Sequence, residues 1–284
     1  MKLRAYAKIN IGLRILGKRS DGFHNIETVF HQIDLFDELE IEQGSSIAFQ
    51  CTSPDVPADS ENLCVRAAEL LKKHSRSASG ASIHLTKKIP VGAGLGGGSS
   101  DAAAVLVGLN TMWKIGLSAD ALRSLASQLG SDVAFFVGGG AAVGTSRCEK
   151  LDHFSVTFPY WIVTVTPPIH VSTSWAYSRV RIDGASHPSS LRSIVEQSVL
   201  DPGVLKDQVR NDFEELVFTS HPQIRDLRDS LLTAGAFFAQ LSGSGSSVYG
   251  LFRDELNARS LLGLLSGTNT LSMTAPSFKP SRPT

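Results

Sequence analysis

Residues 90–106 read PVGAGLGGGSSDAAAVL and are the most informative stretch of the chain. Five glycines fall within the seven positions from Gly92 to Gly98, and an alanine-rich run that favours a helix follows. Glycine has no Cβ, so several successive backbone N–H groups can turn towards one centre. Ser99 or Ser100 is expected to cap the helix, whose N-terminus adds the positive end of its dipole. The sequence therefore predicts a loop that binds an anion, above all a polyphosphate.

Two other glycine motifs do not fit this stretch. A Walker loop ends in Gly-Lys-Ser or Gly-Lys-Thr, whereas Gly98 is followed directly by Ser99. A dinucleotide-binding fingerprint expects an acidic residue at a strand end about 20 positions further on, but residues 113–120 are typical of a loop leading into a new helix. The alternative is a glycine-rich turn without a ligand, although a purely structural turn rarely needs five glycines.

The composition is typical of a soluble globular protein. Of 284 residues, 42% are hydrophobic and 19% are charged. Lys and Arg together number 27, as do Asp and Glu, so no bulk charge favours nucleic acid or an anionic membrane. No apolar run approaches the roughly 18 residues of a transmembrane helix, and the N-terminus has no signal-peptide or leader pattern. We therefore expect a cytoplasmic protein that binds neither nucleic acid nor a membrane, with no prediction for its oligomeric state.

The cysteines indicate neither a disulfide framework nor a metal site. The chain has an odd number of cysteines, Cys51, Cys64 and Cys148, and no two of them have the spacing of metal ligands. The eight histidines form no zinc-binding pattern. We expect reduced thiols and no metal ligands among the protein side chains.

Strand-like and helix-like segments are mixed irregularly along the chain. Residues 4–16 alternate as a strand does, and residues 236–252 are typical of a hairpin. The regular strand–helix repetition of a doubly wound sheet is absent. The sequence predicts an α+β fold with an active site between two domains, residues 1–155 and residues 156–270, followed by a disordered tail at residues 271–284.

Lys8 and Asp132 are the candidate catalytic residues. Lys8 lies on the polar face of the first strand, where a lysine often only points to solvent. Asp132 stands before the apolar run 133–137, which predicts a strand, and an aspartate there is more often a turn residue. Phosphoryl transfer to an alcohol needs a carboxylate to take the hydroxyl proton and a cation to stabilise the developing charge. If the glycine loop binds a phosphate, Asp132 and Lys8 supply these two groups.

Three further segments are weaker candidates for binding. Phe23 and His24 lie in a polar loop, where a histidine is more often a surface or turn residue and Phe23 could equally be a buried anchor. Residues 171–177 begin like a capped helix with two aromatic side chains, which ordinary core packing also explains. Residues 242–247 form a second turn of small residues, which is a weak signal alone and more informative beside the first loop.

Three features, in this order along the chain, resemble the GHMP kinases. They are the strand with Lys8, the loop and helix at residues 90–104, and the turn at residues 241–247. Within that family, AKINIGL at residues 7–13 and RSDGFH at residues 19–24 look like the kinases that act on 4-diphosphocytidyl-2-C-methyl-D-erythritol. The resemblance covers nearly the whole chain.

This resemblance implies a fold and a reaction. The N-terminal domain is expected to be like domain 2 of ribosomal protein S5 and the C-terminal domain ferredoxin-like, with the active site in the cleft between them. The reaction implied is transfer of the ATP γ-phosphate to the 2-hydroxyl of 4-diphosphocytidyl-2-C-methyl-D-erythritol, in the non-mevalonate route to isoprenoid precursors. ATP, with Mg²⁺ bridging its β- and γ-phosphates, and the cytidyl compound are then the small-molecule partners.

The resemblance also implies roles for individual residues. Asp132 would be the general base, and Lys8 would orient it and stabilise charge. ATP would be bound by Asn62, Leu63, Pro90, Gly92, Gly94, Leu95, Gly96, Gly97, Gly98, Ser99 and Ser100. The acceptor would be bound by Asn10, Phe23, His24, Thr173, Tyr177, Ser242 and Gly243. Its cytosine would stack between Phe23 and Tyr177, while His24 would form hydrogen bonds with the cytosine edge.

Two positions depart from the family pattern, and neither removes a catalytic residue. Phe23 stands where the family more often has tyrosine, so stacking is kept and any hydroxyl contact is lost. Ala134 stands where proline usually follows Gly-Ser-Asp-Val, which would loosen the segment behind Asp132. The alternatives are a GHMP kinase for mevalonate, homoserine or a sugar, a catalytically silent nucleotide-binding protein on this fold, and a nucleic-acid-binding module.

Overall fold

The computed structural model describes residues 1–76, 79–182, 189–265 and 267–281. Its strands are β1 (Lys2–Lys18), β2 (His24–Gly44), β3 (Ile47–Cys51), β4 (Gly80–Thr86), β5 (Ala141–Ser146), β6 (Lys150–Phe154), β7 (Trp161–Thr166), β8 (Phe238–Leu241), β9 (Val248–Phe252) and β10 (Thr270–Thr274). Its helices are α1 (Leu63–Ser75), α2 (Gly97–Met112), α3 (Ala119–Ala126), α4 (Ser131–Gly138), α5 (Thr173–Arg179), α6 (Leu191–Ser198), α7 (Gly203–Gln208), α8 (Glu214–Ser220), α9 (Pro222–Thr233) and α10 (Glu255–Leu264).

The first sheet is built around β2, which is 21 residues long. Its strand order is β3-β4-β2-β5-β6, and β1 also pairs with β2. The first part of β2 pairs with β5 and the last part with β4, both antiparallel. The pairing of β1 with β2 shifts register between Tyr6 and Lys8. Such an irregularity re-aims the side chains around it, and here it lies at the candidate catalytic lysine.

Helix α2 packs directly against β1 and β2, with α1 and α4 beside it. Small side chains allow this close approach: a Cβ at Gly108 would lie 2.7 Å from the Leu3 side chain. The alanines of α2 belong to the apolar core, as do the buried faces of α1 and α4. The helix that follows the glycine loop is therefore held rigidly on the sheet that carries Lys8. No helix in the described ranges is long and apolar enough to span a membrane.

The second sheet has the order β10-β7-β9-β8, with every neighbouring pair antiparallel. Helices α9 and α10 pack on it. This is the strand order of a ferredoxin-like domain, so the predicted α+β fold and its ferredoxin-like C-terminal half are confirmed. The chain passes from the first sheet to the second between Phe154 and Trp161.

The C-terminal segment differs from the disordered tail that the sequence predicts at residues 271–284. Strand β10 pairs with β7 along its whole length, and the backbone N–H of Ser277 donates to the carbonyl of Phe158 at 2.8 Å. The partner strand lies more than a hundred positions earlier in the chain, so local sequence pattern gives no sign of the pairing. Residues 282–284 lie outside the described ranges.

The segment after Asp132 is a helix and not the predicted strand. Helix α4 begins after Gly130 and ends before Gly139, which has a φ of 66°. A short apolar run such as 133–137 fits a buried helix and a buried strand equally well, so periodicity could not separate them. The backbone N–H of Ala134 donates to the Gly130 carbonyl at 3.4 Å, so the helix continues through the position where the family usually has proline.

Candidate active site

A cavity of about 520 Å³ brings together most of the predicted site residues from both domains. Those that line it are Lys8, Asn10, Asn62, Leu63, Pro90, Gly92, Gly94, Gly96, Gly97, Gly98, Ser99, Asp132, Thr173, Tyr177 and Gly243. The cavity lies within the usual size range of small-molecule sites. Strands β1, β2 and β4, the N-terminal ends of α1, α2, α4 and α5, and the turn after β8 therefore converge on one space.

Five predicted residues do not line this cavity. Leu95, Ser100 and Ser242 are buried behind it, where the Leu95 side chain packs in the apolar core. Phe23 and His24 lie beside the cavity: Phe23 is in the turn that joins β1 to β2, and His24 is the first residue of β2.

The glycine loop is attached to the protein through its carbonyl oxygens. The carbonyl of Gly94 accepts from Lys8 Nζ at 2.9 Å and from Ser242 Oγ at 3.0 Å. The carbonyl of Leu95 accepts from the Lys8 backbone N–H at 3.0 Å. In the part of the chain that the structure describes, the backbone N–H groups of residues 94–99 donate to no protein acceptor. The donors of the loop are thus available to an anion in the cavity.

Gly96, and not a serine, occupies the N-cap position of α2. Gly96 has a φ of 72°, and no side-chain cap is formed. The predicted cap is wrong because the left-handed glycine turns the chain into the helix three residues before the serines. Ser100 Oγ instead donates to the carbonyl of Tyr6 at 2.7 Å, which joins α2 to β1. An uncapped helix N-terminus keeps its first N–H groups free for a phosphate.

Gly94 shows why a glycine is required at the closest approach between the two domains. Its φ is +80°, and an added Cβ would lie 2.1 Å from the carbonyl oxygen of Ser242. No side chain can occupy that space. Ser242 Oγ also accepts from the backbone N–H of Asn10 at 3.2 Å, so this buried serine joins the loop to β1 and does not face the cavity.

Lys8 is buried at the centre of the site, with only 4% of its surface exposed. Its Nζ donates to Asn10 Oδ1 at 2.6 Å and to the Gly94 carbonyl at 2.9 Å, and it lies 3.8 Å from Asp132 Oδ2. Burial lowers the pKa of Lys8, and the nearby Asp132 carboxylate partly opposes this effect. The ammonium therefore has fixed neighbours on the protein side and a carboxylate on the cavity side.

Asp132 lies in the first turn of α4 and keeps 34% of its side chain exposed. The helix dipole favours a negative charge at this position. A carboxylate that is partly solvated and faces the cavity can accept a proton from a bound hydroxyl group. The geometry brings this base and a buried cation together beside free backbone donors.

Aromatic rings border the cavity on the side of α5. The His24 ring stacks on Tyr177, with ring centroids 5.2 Å apart and an angle of 22° between their planes. Phe23 is 55% exposed, and the Arg147 guanidinium lies 4.9 Å from the centroid of its ring. Burial raises the pKa of Tyr177, so its phenol stays neutral. Phe23 and Tyr177 thus lie near the cavity, but in this structure His24 covers the Tyr177 face.

Sequence analysis missed Arg147, which lines the cavity. Its guanidinium forms no ion pair with any residue in the described ranges. A lone arginine in a turn has no motif around it, so its place in the site depends entirely on the pairing of β5 and β6.

A buried ion cluster also escaped sequence analysis. Lys87 Nζ lies 2.5 Å from Asp37 Oδ2 and 3.0 Å from Asp101 Oδ2, and both carboxylates are almost fully buried. Burial opposes the charge on Lys87, yet Asp101 and then Asp37 raise the pKa of the ammonium. Burial raises the pKa of Asp101 well above its usual range. The quoted glycine stretch contains Asp101, but only the fold shows that it joins α2 to β2 and β4.

Asn62 and Thr173 hold two other walls of the cavity. Asn62 Oδ1 accepts from the Cys64 N–H at 2.8 Å and so caps α1, while its Nδ2 donates to the Pro57 carbonyl at 2.6 Å. Thr173 Oγ1 and Ser244 Oγ lie 2.9 Å apart, which joins α5 to the turn after β8. Among the described residues, no three His, Cys, Asp or Glu side chains are grouped as a metal site.

The chain resembles known proteins over nearly its whole length. The model of the GHMP kinases N terminal domain matches residues 62–140, and the model of the GHMP kinases C terminal domain matches residues 195–263. The chain is 43% identical to the 4-diphosphocytidyl-2-C-methyl-D-erythritol kinase of Prosthecochloris aestuarii and 41% identical to that of Chloroherpeton thalassium, over 98% of each chain.

Solved structures show the same likeness. A crystal structure of 4-(cytidine 5'-diphospho)-2C-methyl-D-erythritol kinase superposes with a TM-score of 0.84 and 31% identity, covering 98% of this chain and 100% of that one. A homoserine kinase from Cytophaga hutchinsonii superposes with a TM-score of 0.75, covering 97% of this chain and 94% of that one, and its 19% identity shows the shared fold alone.

Proposed function

The chain belongs to the 4-diphosphocytidyl-2-C-methyl-D-erythritol kinases of the GHMP kinase family, and on that basis we propose its reaction. It transfers the γ-phosphate of ATP to the 2-hydroxyl of 4-(cytidine 5′-diphospho)-2-C-methyl-D-erythritol. The product feeds the methylerythritol phosphate pathway of isoprenoid precursor biosynthesis. The enzyme acts in the cytoplasm, in keeping with its free cysteines.

The observation that carries this proposal is the pair of Lys8 and Asp132 beside the free donors of the glycine loop. Asp132 takes the proton of the acceptor hydroxyl as its oxygen attacks the γ-phosphorus. The new O–P bond forms as the bond to the β-phosphate oxygen breaks, and ADP leaves. Lys8, held by Asn10 and Gly94, stabilises the charge on the transferred group and keeps Asp132 in place.

ATP is bound through its phosphates at the N-terminus of α2. The free N–H groups of residues 94–99 and the helix dipole supply the positive potential. Mg²⁺ enters with ATP as part of that substrate and prefers phosphate oxygens and water as ligands. Ser99 lines the cavity and offers a hydroxyl oxygen to these phosphates. Asn62 and Leu63, at the start of α1, lie where the base is held.

The acceptor occupies the side of the cavity bordered by α5. Its cytosine replaces the His24 ring against Tyr177, and Phe23 covers the other face of the base. His24 then forms hydrogen bonds with the cytosine edge. The diphosphate of the acceptor needs a counter-charge, and Arg147 is a cavity-lining cation without an ion pair in the described ranges. Asn10, Thr173 and Gly243 complete this side.

A coupled assay of ADP release tests the proposal directly. Purified protein receives Mg-ATP with 4-diphosphocytidyl-2-C-methyl-D-erythritol, mevalonate, homoserine or galactose, one at a time. Turnover confined to the cytidyl compound is expected, because the rings of Phe23 and Tyr177 suit a planar base. Turnover with another acceptor would keep the kinase chemistry and reject the substrate. ATP binding without turnover on any acceptor would favour a silent nucleotide-binding protein.

A further inference from the structure

A second cavity, of about 700 Å³, lies against another face of α2. The helix contributes side chains at helical spacing to its wall, namely Ser100, Ala103, Ala104 and Val107. The catalytic cavity is lined by the N-terminal end of the same helix, at Gly97, Gly98, Ser99 and Asp101. The two cavities therefore share α2 as a wall and open to different sides of it.

The lining of this second cavity is basic. Arg4, Arg123 and Lys279 contribute to it, and no Asp or Glu in the described ranges does. Arg123 is paired with Asp120. Arg4 and Lys279 are exposed and form no ion pair within the part of the chain that the structure describes. The Arg4 guanidinium lies 4.4 Å from the centroid of the Phe36 ring, a contact that does not neutralise its charge. A concave surface with two cations outside ion pairs, and with no carboxylate among its described lining residues, attracts anions.

Aromatic rings form the apolar part of the lining. Phe136, at the end of α4, and Phe154, at the end of β6, both line the cavity. The segment after β10 provides another wall, where Phe278 packs edge-on against Tyr6 with centroids 5.5 Å apart. The hydroxyl groups of Tyr6 and Ser281 lie 2.9 Å apart and fasten this segment to β1. The wall is thus an ordered part of the fold.

Two histidines of the lining have unsatisfied ring nitrogens. His31 Nδ1 and His153 Nε2 are buried and have no hydrogen-bond partner among the described residues. Burial lowers the pKa of His31 to about 4, so its ring stays neutral at physiological pH. Unsatisfied buried nitrogens are costly and uncommon in native proteins. Both nitrogens are shielded from solvent and lie behind the wall of the cavity, so its charged and aromatic side chains form the surface that a bound molecule would contact.

We propose that this cavity is a second small-molecule site, which binds a phosphate ester with an apolar group. Arg4 and Lys279 bind the phosphate by charge-assisted hydrogen bonds. The apolar group packs between the rings of Phe136 and Phe154. The volume falls within the range of roughly 300–1,000 Å³ that small-molecule sites occupy. The kinase reaction does not use this site, so the proposal stands apart from the proposed function.

Isothermal titration calorimetry with phenyl phosphate tests the proposal on the full-length protein. A non-hydrolysable ATP analogue and CDP, both at saturation, first block the catalytic cavity. A single equivalent of phenyl phosphate is expected to bind, at least about tenfold more tightly than inorganic phosphate, because only the ester fills the aromatic part of the cavity. Binding that is absent, or that disappears when the catalytic cavity is blocked, would overturn the proposal.

A pair of double variants separates this site from general surface charge. Arg4→Gln with Lys279→Gln is expected to weaken phenyl phosphate binding at least about tenfold and to leave kcat unchanged. Lys73→Gln with Arg225→Gln removes the same charge from exposed positions on α1 and α9, and should leave binding unchanged. Equal affinity in the two double variants would refute the site.

Discussion

Replacement of Gly94 by alanine tests whether the glycine loop must lie in contact with the second domain. The backbone at Gly94 has a φ of +80°, a conformation that costs a residue with a Cβ about 1–2 kcal/mol. The added Cβ would also lie 2.1 Å from the Ser242 carbonyl oxygen. Relief of that clash requires the loop or the turn to move by more than about 1 Å, since ordinary contacts are near 3.5 Å.

Such a movement also disturbs the hydrogen bonds at the Gly94 carbonyl. This oxygen accepts from Lys8 Nζ and from Ser242 Oγ, and each bond contributes about 1 kcal/mol net. The combined loss is about 3–4 kcal/mol, which lowers Tm by at least about 6 °C in a chain of this size. We expect kcat to fall by about 10²-fold, because Lys8 loses a fixed partner and the phosphate loop shifts by about 1 Å.

Gly98→Ala is the matched control for this prediction. A Cβ at Gly98 meets no atom within 4 Å, and alanine is favoured over glycine in a helix by about 1 kcal/mol. Differential scanning calorimetry should show an unchanged or higher Tm for Gly98→Ala and a lower one for Gly94→Ala. If Gly94→Ala kept both its kcat and a Tm within about 1 °C of the control, the contact with Ser242 would not constrain the loop.

Three functional substitutions and one structural substitution extend these tests. Asp132→Asn should lower kcat by at least about 10²-fold with a modest change in KM, measured by ADP release, and near-normal activity would remove Asp132 from the role of base. Phe23→Ala should raise the KM of the acceptor and leave that of ATP nearly unchanged, whereas equal changes would indicate a structural anchor. Arg147→Gln should raise acceptor KM by about tenfold through loss of one charge-assisted hydrogen bond, and an unchanged KM would contradict its contact with the diphosphate. Lys87→Met should destabilise the fold by about 3–5 kcal/mol at neutral pH, because it leaves two buried aspartates without a counter-charge. Burial raises the pKa of Asp101, so protonation of this carboxyl removes its unpaired charge as pH falls and the deficit in Tm should shrink; a deficit that grew in acid would refute this explanation.

The glycine loop and the catalytic pair could be recognised without a structure because their chemistry is local. Several glycines before a helix favour a close approach of backbone donors to an anion, and this preference depends on the local sequence alone. Lys8 and Asp132 were interpreted as catalytic residues because of that loop and the family resemblance. The structure then brought them within 3.8 Å of each other.

The tertiary structure determined the features that depend on contacts between residues far apart in the sequence. The N-cap fell on Gly96 because a left-handed turn there joins the loop to α2, while Ser100 is held by the Tyr6 carbonyl. The segment after Asp132 became a helix because it packs against α2 and α3. Arg147 lies in the site because β5 pairs with β6, and no sequence motif predicts that pairing. Local sequence sets backbone preferences and functional groups, whereas burial and long-range contacts determine which of these groups meet.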